Sequence, residues 1–459
     1  MYKKLYFIGI GGIGMSALAR YYSKRGVAVY GYDKTKTELT ECLEKEGMKI
    51  HYEDRIDFIP DNLDLAIITP AIPMDLLEYQ HLLKLNIPVL KRSQVLGQIT
   101  SIENNIAVAG THGKTTTSVL IAHILFDSGI GITAFLGGIA LNYKTNFLDN
   151  GSAWVVEEAD EYDRSFLNLH PSIAIIGSLD ADHLDIYGSR EQMVENYLRF
   201  ASQIKGNGIL LMSDTIDPTE IQLFKNTCVG HRVMRYGFNN TEVKVTIVGT
   251  EKGWTTFNYI SDNVNMLNLA IRLPGQHNIR NTAAAIRVAL ELGISEDQIR
   301  SSILNFKGIK RRFEWIYETE DKVLIDDYAH HPEELRAVIS ACRDAYPARK
   351  ITGIFQPHLY SRTRDFMEDF AAVLAHLDVI ILVELYPARE LEIPGISSET
   401  LFLKIKHPNK HLSLKKNLCN LIETLEMDVV LCLGAGDLDM MMDEIKDAVF
   451  GSTDLKKSA

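Results

Sequence analysis

Short apolar runs recur along the chain, and most of them end at a glycine, a proline or a cluster of polar residues. Leu5-Tyr6-Phe7-Ile8, Val27-Ala28-Val29-Tyr30, Leu65-Ala66-Ile67-Ile68 and Pro88-Val89-Leu90 come first. Unbroken runs of this length predict strands buried on both faces, as in a parallel sheet covered by helices. Ala17 to Lys24 predicts a helix that Gly26 stops. The turn before that helix is Gly9-Ile10-Gly11-Gly12-Ile13-Gly14-Met15-Ser16, and Asp33 closes the next strand. This is a βαβ unit with a dinucleotide-type fingerprint. Taken alone it suggests a nicotinamide or flavin enzyme, although the geometry suits any pyrophosphate. Thr69-Pro70-Ala71-Ile72-Pro73 is predicted to be a loop at a strand's C-terminal end, where open α/β sheets place ligands. Residues 1–102 form the first predicted domain.

The strongest chemical signal lies in the second predicted domain, 103–307. Ile106-Ala107-Val108-Ala109 reads as a buried strand, Ser118 to Leu125 as a helix, and Gly110-Thr111-His112-Gly113-Lys114-Thr115-Thr116-Thr117 lies between them. Glycines let backbone N–H groups close on a phosphate, and the helix N-terminus adds partial positive charge. Lys114 then reaches the β- and γ-phosphates, and the Thr115 hydroxyl holds Mg²⁺. Val108 stands where the general P-loop pattern has a glycine. The alternative, a glycine-rich turn with a solvated lysine, is outweighed by the strand–helix context.

Two further apolar strands, Trp154 to Glu157 and Ile173 to Ile176, run into acidic loops: Glu158-Ala159-Asp160-Glu161-Tyr162-Asp163 and Asp180-Ala181-Asp182-His183-Leu184-Asp185. Carboxylates at strand ends beside a P-loop suit a metal ion, or are solvated loop acids and helix caps. Short alternating runs over 228–273 predict a small antiparallel lobe. Asn278 and Asn281 share one face of the helix that follows. N-capping and hydrogen bonding to an adenine or ribose are equally compatible with that spacing. Ser295 and Gln298 form a capping box for another helix.

The third predicted domain, 308–459, opens with the basic run Lys310-Arg311-Arg312-Phe313. It is either a solvated charge run or an arginine supplied to a transferring phosphate. Strands at Val323–Ile325, Ile351–Phe355, Val379–Val383 and Val429–Leu433 each discharge polar residues at their C-terminal ends. Those ends carry Asp327-Tyr328-Ala329-His330-His331, Gln356-Pro357-His358 with Arg362, Glu384-Leu385-Tyr386 and the Gly434 turn, all predicted along one sheet edge.

Composition narrows the class. The net charge of −12 over 459 residues argues against wholesale nucleic-acid binding, so an anionic substrate needs local donors. The five cysteines are scattered, as expected of reduced thiols in a cytoplasmic protein. No apolar stretch has the length of a membrane span, and the N-terminus lacks the apolar core of a signal peptide. A monomer or weak homodimer is expected. On the residues alone, two other readings stay open: an oxidoreductase built on Gly9–Gly14, and a nucleotide-gated sensor that uses the P-loop as a switch.

Taken together, these signatures resemble the Mur ligase family. Gly110 to Thr117 is similar to its shortened P-loop. Glu158-Ala159-Asp160-Glu161, Asp182-His183, His277-Asn278 with Asn281, Arg311-Arg312-Phe313, Asp327 to Pro332 and the Gly434 turn follow in the family's order, over nearly the whole chain. The Gly9–Ser16 turn and Gln356-Pro357-His358 with Arg362 resemble the members that join L-alanine to UDP-N-acetylmuramate. Members that recycle murein tripeptide share much of the pattern and are the alternative.

The resemblance implies an α/β protein of three domains: a Rossmann-like N-terminal domain for the UDP substrate, a central P-loop ATPase domain and a Rossmann-like C-terminal domain. It implies a cytoplasmic, ATP- and Mg²⁺-dependent ligation in peptidoglycan precursor synthesis, proceeding through an acyl phosphate and requiring domain closure. Lys114, Glu158, His183, Arg312 and His330 are the implied catalytic residues, with Thr115, Glu158 and His183 on the metal. Gly110, Thr111, His112, Gly113, Lys114, Thr115, Thr116, Asn278, Asn281, Arg312 and Asp327 would hold ATP. Gly11, Gly12, Ile13, Gly14, Met15, Ser16, Asp33, Thr69 and Ala71 would hold the UDP substrate, and Tyr328, His358 and Arg362 the amino acid. His330 and His358 are both candidates to take the amine's proton. The sequence departs from the family's pattern at three places: Leu359 replaces a second arginine after His358, Ser178 replaces an asparagine, and Thr69-Pro70 replaces Ser-Ser.

Overall fold

A computed structural model describes residues 2–180, 187–262, 264–388 and 390–454. The chain divides into two compact units. One comprises Met1–Thr246, Phe257–Ala270 and His277–Lys307; the other comprises Ile247–Thr256, Ile271–Gln276 and Gly308–Ala459.

The first unit opens with five short strands: β1 (Lys4–Ile8), β2 (Ala28–Tyr32), β3 (Lys49–His51), β4 (Leu65–Ile68) and β5 (Val89–Lys91). They pair in parallel in the order β3-β2-β1-β4-β5. The order reverses between β1 and β4, so the turns after these two strands face one crevice. Gly9 ends β1 with φ +82°, and a Cβ there would lie 3.1 Å from the Thr69 methyl after β4.

A ten-stranded sheet follows, built from β6 (Asn105–Ala109), β7 (Ile132–Ala140), β8 (Thr145–Asp149), β9 (Trp154–Glu158), β10 (Ile173–Ile176), β11 (Ile209–Ser213), β12 (Arg232–Gly237), β13 (Val243–Glu251), β14 (Trp254–Ser261) and β15 (Val264–Ile271). Its order is β15-β14-β13-β12-β11-β10-β6-β9-β7-β8. β6 is buried throughout and sits between β10 and β9 in parallel register. The turn after β6 is therefore flanked by the loops after both neighbours. The region expected to form a small antiparallel lobe, 228–273, holds β12–β15, which continue the sheet outward from β11. Lys252 and Gly253, both at positive φ, make the tight turn between β13 and β14. The predicted capping box is present: Ser295 Oγ accepts from Gln298 N, and Gln298 Oε1 accepts from Ser295 N.

The second unit carries a six-stranded sheet: β16 (Glu314–Glu318), β17 (Val323–Asp327), β18 (Ile351–Phe355), β19 (Val379–Val383), β20 (Lys410–Ser413) and β21 (Val429–Leu433). Its order is β16-β17-β21-β18-β19-β20, parallel except for β16. β17, β18 and β21 are wholly buried, and apolar clusters cover both faces. The edge strands β16 and β20 were not anticipated. Both are half-exposed and mix charged with apolar residues, so neither has the apolar run that marks a central strand.

Beneath the first sheet, Glu78 is fully buried on the helix Leu77–Lys84. It accepts hydrogen bonds from Tyr6 Oη (2.5 Å) and from the backbone of Arg55 (3.1 Å). Burial, reinforced by Asp54, pushes its pKa up to about 7 against the pull of those donors. An acid whose folded pKa exceeds its unfolded value keeps its proton in the folded state after the unfolded chain has lost it. Stability therefore falls between pH 4.5 and about 7. Glu78→Gln keeps one acceptor, Oε1, for Arg55 N and turns Nε2–H toward Tyr6 Oη as a donor, the same pattern as the protonated acid. In thermal unfolding it should match the wild type near pH 4.5, gain on it up to pH 7, by as much as about 3 kcal/mol, and hold a constant advantage above. A difference independent of pH would contradict this account.

Candidate active site

The glycine turn after β1 works through its backbone. Gly9 and Ile10 N–H groups are tied to Tyr32 O, and Gly11 N donates to Asp33 Oδ2 at 2.8 Å. Gly12 caps the helix Ile13–Lys24, which has no acidic residue in its first turn. Met15 and Ser16 are buried, and Ser16 Oγ donates to Ile13 O, so their side chains serve the turn's architecture. Asn146 on β8 braces it from below, donating to Ile13 O (2.5 Å) and to Ser16 Oγ (2.9 Å). Thr69 and Ala71 line a cavity of about 240 Å³ together with Arg92, Ser93, Asp160 and Tyr162.

The second cluster is the turn after β6. Gly110 has φ +130°, and a Cβ there would stand 2.9 Å from the backbone nitrogens of Gly177 and Ser178. Ser178 fastens the turn: its hydroxyl lies 2.7 Å from Thr111 Oγ1 and accepts from His112 N at 2.9 Å. Asp180 N donates back to Thr111 Oγ1. Gly113, at φ +79°, caps the helix Lys114–Asp127. A Cβ on it would sit 2.7 Å from Asn281 Oδ1, which puts the Asn281 amide against this turn. Asn278 and Asn281 are both buried in the first turns of the helix Gln276–Glu291. Thr116 is half-buried beside Thr115.

Lys114 Nζ donates to Gly110 O (2.7 Å) and to Glu161 Oε1 (2.8 Å). Glu158, at the end of β9, accepts from Gly137 N (2.8 Å), Ser118 Oγ (3.2 Å) and Thr115 Oγ1 (3.3 Å). Desolvation pushes its pKa up, against Lys114 and these donors. A Cβ on Gly137 would lie 2.3 Å from Glu158 Oε1, so any side chain there would push the Glu158 carboxylate out of this position. His183 and Asp182 lie outside the described residues. Among the described residues no group of three or more His, Cys, Asp or Glu converges as a metal cage.

In the second unit the structure separates the two adjacent arginines. Arg311 is drawn inward: its guanidinium reaches the carbonyls of Gly434 and Gly436 and ion-pairs with Asp326 and Asp439, both at 3.3 Å. Burial raises Asp326 to about 7 despite Arg311. Arg312 lies with its guanidinium 5.6 Å from the Tyr328 ring and makes no ion pair among the described residues. Asp327 is committed to the backbone, accepting from Phe313 N (2.7 Å) and Ala329 N (2.8 Å); burial raises it to about 6, against Arg312 and those bonds.

Tyr328, His330, His358 and Arg362 do come together. The Tyr328 and His330 rings are 5.2 Å apart, and the His330 and His358 rings 6.0 Å. Arg362 Nη1 approaches His358 Nδ1 at 3.4 Å, and Tyr386 stacks on the other side of His358. His330 Nδ1 is 2.9 Å from Tyr328 O and 3.3 Å from Glu334. Burial lowers the pKa of both histidines, His358 to about 4. Gln356 is wholly buried, donating to Asp437 and accepting from Leu438 N, so it ties β18 to the turn after β21. Leu359 has φ +70° and caps the helix Tyr360–Asp365.

Sequence reasoning passed over Glu161, Gly137, Arg92 and Tyr386 as individual site residues, and noted Ser178 only as a departure from the family's pattern. Glu161 and Tyr386 stand in quoted strand-end loops and were within reach. The others act through contacts far apart in sequence, which no local pattern carries.

Family models match most of the chain in sequence. The Mur ligase family catalytic domain matches residues 4–103, the Mur ligase middle domain 108–289 and the Mur ligase glutamate ligase domain 311–436. The UDP-N-acetylmuramate–L-alanine ligase of Christiangramia forsetii is 43% identical over 453 residues, 97% of this chain and 98% of its own. That of Cytophaga hutchinsonii is 44% identical over 454 residues, covering 96% of each. Among solved structures, the UDP-N-acetylmuramate–alanine ligase of Thermotoga maritima is similar with a TM-score of 0.82 at 26% identity, over 97% of this chain and 98% of that one. A murein peptide ligase of Psychrobacter arcticus shares the fold with a TM-score of 0.69 at 22% identity, over 97% and 98%. Matched by these domains from residue 4 to residue 436, and by single relatives over nearly its whole length, the chain belongs to the Mur ligase family.

Proposed function

We propose that this chain joins L-alanine to UDP-N-acetylmuramate in the cytoplasm, with ATP as the third reactant and Mg²⁺ as the metal. The observation that carries the choice of substrates is the 43–44% identity, over nearly the full length, to ligases of that name. The murein peptide ligase of Psychrobacter arcticus, at 22% identity, is a likeness of fold. The free cysteines accord with a reducing compartment.

A carboxylate is a poor electrophile, so amide formation needs activation. The muramate carboxylate attacks the γ-phosphorus of ATP and ADP leaves, giving an acyl phosphate. The free amine of alanine attacks the acyl carbon, and inorganic phosphate leaves. Lys114 and the N–H groups from Gly110 to Thr116 would spread the phosphoryl charge, and Asn278 and Asn281 would meet the nucleoside. Thr115 and Glu158 bring hard oxygens within 3.3 Å of each other beside the turn, and the buried Glu158 carboxylate lacks a full counter-charge, so the pair fits Mg²⁺. His183 would join them. Bound there, the ion would neutralise charge on the transferring phosphate. Arg312, with no ion pair among the described residues, would add to that, and Asp327 would hold the arginine turn in shape.

The histidines divide the remaining work. A carbonyl oxygen only accepts, so His330 Nδ1 carries the proton shared with Tyr328 O, and the Nε2 lone pair is left to take the amine's proton. His358 Nδ1 accepts from Arg362, which leaves Nε2–H as a donor. Its depressed pKa keeps it neutral. Arg362 would take the alanine carboxylate.

The test is phosphate release with ATP, Mg²⁺ and UDP-N-acetylmuramate, adding candidate amines singly. Release should require L-alanine and yield the UDP-muramoyl-alanine mass; release only with the murein tripeptide, or with no amine at all, would overturn the reading. Lys114→Ala should lower turnover by about 100-fold or more while the protein stays folded. His330→Gln should lower kcat by about 100-fold or more. In the wild type, log kcat/KM for alanine should steepen by about one unit per pH below the lowered His330 pKa, where the base becomes protonated. The variant should lack that steepening. An unaltered profile would exclude His330 as the base.

A further inference from the structure

Arg92 opens the helix Arg92–Ser101, directly after β5. Its side chain is 24% exposed. A guanidinium has five N–H donors and stays charged at any working pH, so one that is three-quarters buried ordinarily finds acceptors. Arg20, elsewhere in the same unit, shows the usual outcome, forking onto Glu46 at 2.7–3.0 Å and reaching Asn146 as well. Arg92 makes no hydrogen bond among the described residues, and its nearest carboxylate oxygen, Asp160 Oδ2, is 3.6 Å away.

Its position sharpens the anomaly. A Cβ built on Gly14 would lie 2.9 Å from Arg92 Nη1 and 3.1 Å from its Cζ. The cation is therefore packed against the first turn of the helix Ile13–Lys24, whose N-terminus is itself a positive pole and whose first turn holds no acid. Two like-signed groups thus lie side by side, and Arg92 also lines the 240 Å³ cavity with Thr69, Ala71 and Ser93. An anion seated against both would satisfy them together. Asp160 fills that part incompletely: its other oxygen accepts from Tyr162 N at 3.1 Å, and its separation from Arg92 exceeds a hydrogen bond.

We propose that Arg92 binds the diphosphate of the nucleotide substrate against the N-terminus of the helix Ile13–Lys24, and that Asp160 is a competing anion which the diphosphate displaces. The inference rests on the UDP-substrate reading above and adds to it a binding residue and the residue that opposes it. It also places the opposing carboxylate two residues from Glu158 and next to Glu161, the acids that engage Thr115 and Lys114.

The two roles have opposite signs, which a merely structural ion pair would not produce. In calorimetric titrations of the full chain with UDP, Arg92→Gln should weaken binding about tenfold or more, the worth of a charge-assisted contact. Asp160→Asn, which keeps the acceptor for Tyr162 N, should tighten it about two- to fivefold. Titration with ADP, read at the P-loop, should be unchanged in both variants and reports that each is folded. Equal UDP affinity in wild type and Arg92→Gln would overturn the inference and leave the ligase reading standing. Should Arg92→Gln lose ADP affinity too, the Asp160→Asn result decides, and weaker or unchanged UDP binding there would overturn the proposal. Absence of UDP-N-acetylmuramate-dependent phosphate release in the wild type would instead bring down the ligase reading and this inference with it.

Discussion

The first unit is organised by the contact between the turn after β6 and the end of β10. At Gly110 the chain leaves β6 with backbone nitrogens of the neighbouring strand where a side chain would stand. That approach brings Ser178 under the turn, where one hydroxyl holds both Thr111 and His112. With the turn held there, Gly113 can cap the following helix, and Lys114 and Thr115 emerge at its first positions. β9 on the other side of β6 delivers Glu158 and Glu161 to the same place. A single methyl at Gly110 would separate the strand ends and pull these groups apart together.

A chain of net charge −12 that is to hold phosphates has to keep its cations from collapsing onto its own acids. Two solutions are visible. Arg311 is spent on structure, held by Asp326, Asp439 and two carbonyls, and is unavailable to a ligand. Its neighbour Arg312 rests on an aromatic face, an attraction that leaves its donors available. Lys114 follows an intermediate course, with one loop carbonyl and one buried carboxylate that a bound phosphate would rival.

The α/β class, the parallel sheets and the strand–turn–helix around Lys114 were legible in the sequence, because central strands are unbroken apolar runs and glycine turns punctuate them. β16 and β20 were not, since an edge strand that meets water on one side has no such run. The expected lobe over 228–273 was read correctly as short strands, but whether a strand extends an existing sheet depends on the edge of β12. In the glycine turn, the family resemblance placed Met15 and Ser16 among the UDP-substrate residues. The structure buries both, as the helical period demands once the helix begins at Ile13. Ser178 was legible only as a departure from the family's pattern and Gly137 not at all, because each matters through a contact with a residue tens of positions away.

The two histidines of the second unit show what geometry adds to a motif. In sequence His330 and His358 are equivalent candidates for a proton acceptor, each after a buried strand. The atom each presents is set by the partner of its Nδ1. A carbonyl beside His330 forces the proton onto Nδ1, and a guanidinium beside His358 forces it off. Each ring therefore offers the opposite chemistry at Nε2, a lone pair from one and an N–H from the other. Burial works in the same direction for both, since it disfavours the imidazolium and preserves the tautomers that the partners select. Exchanging the two partners would exchange the two roles while leaving both histidines in place.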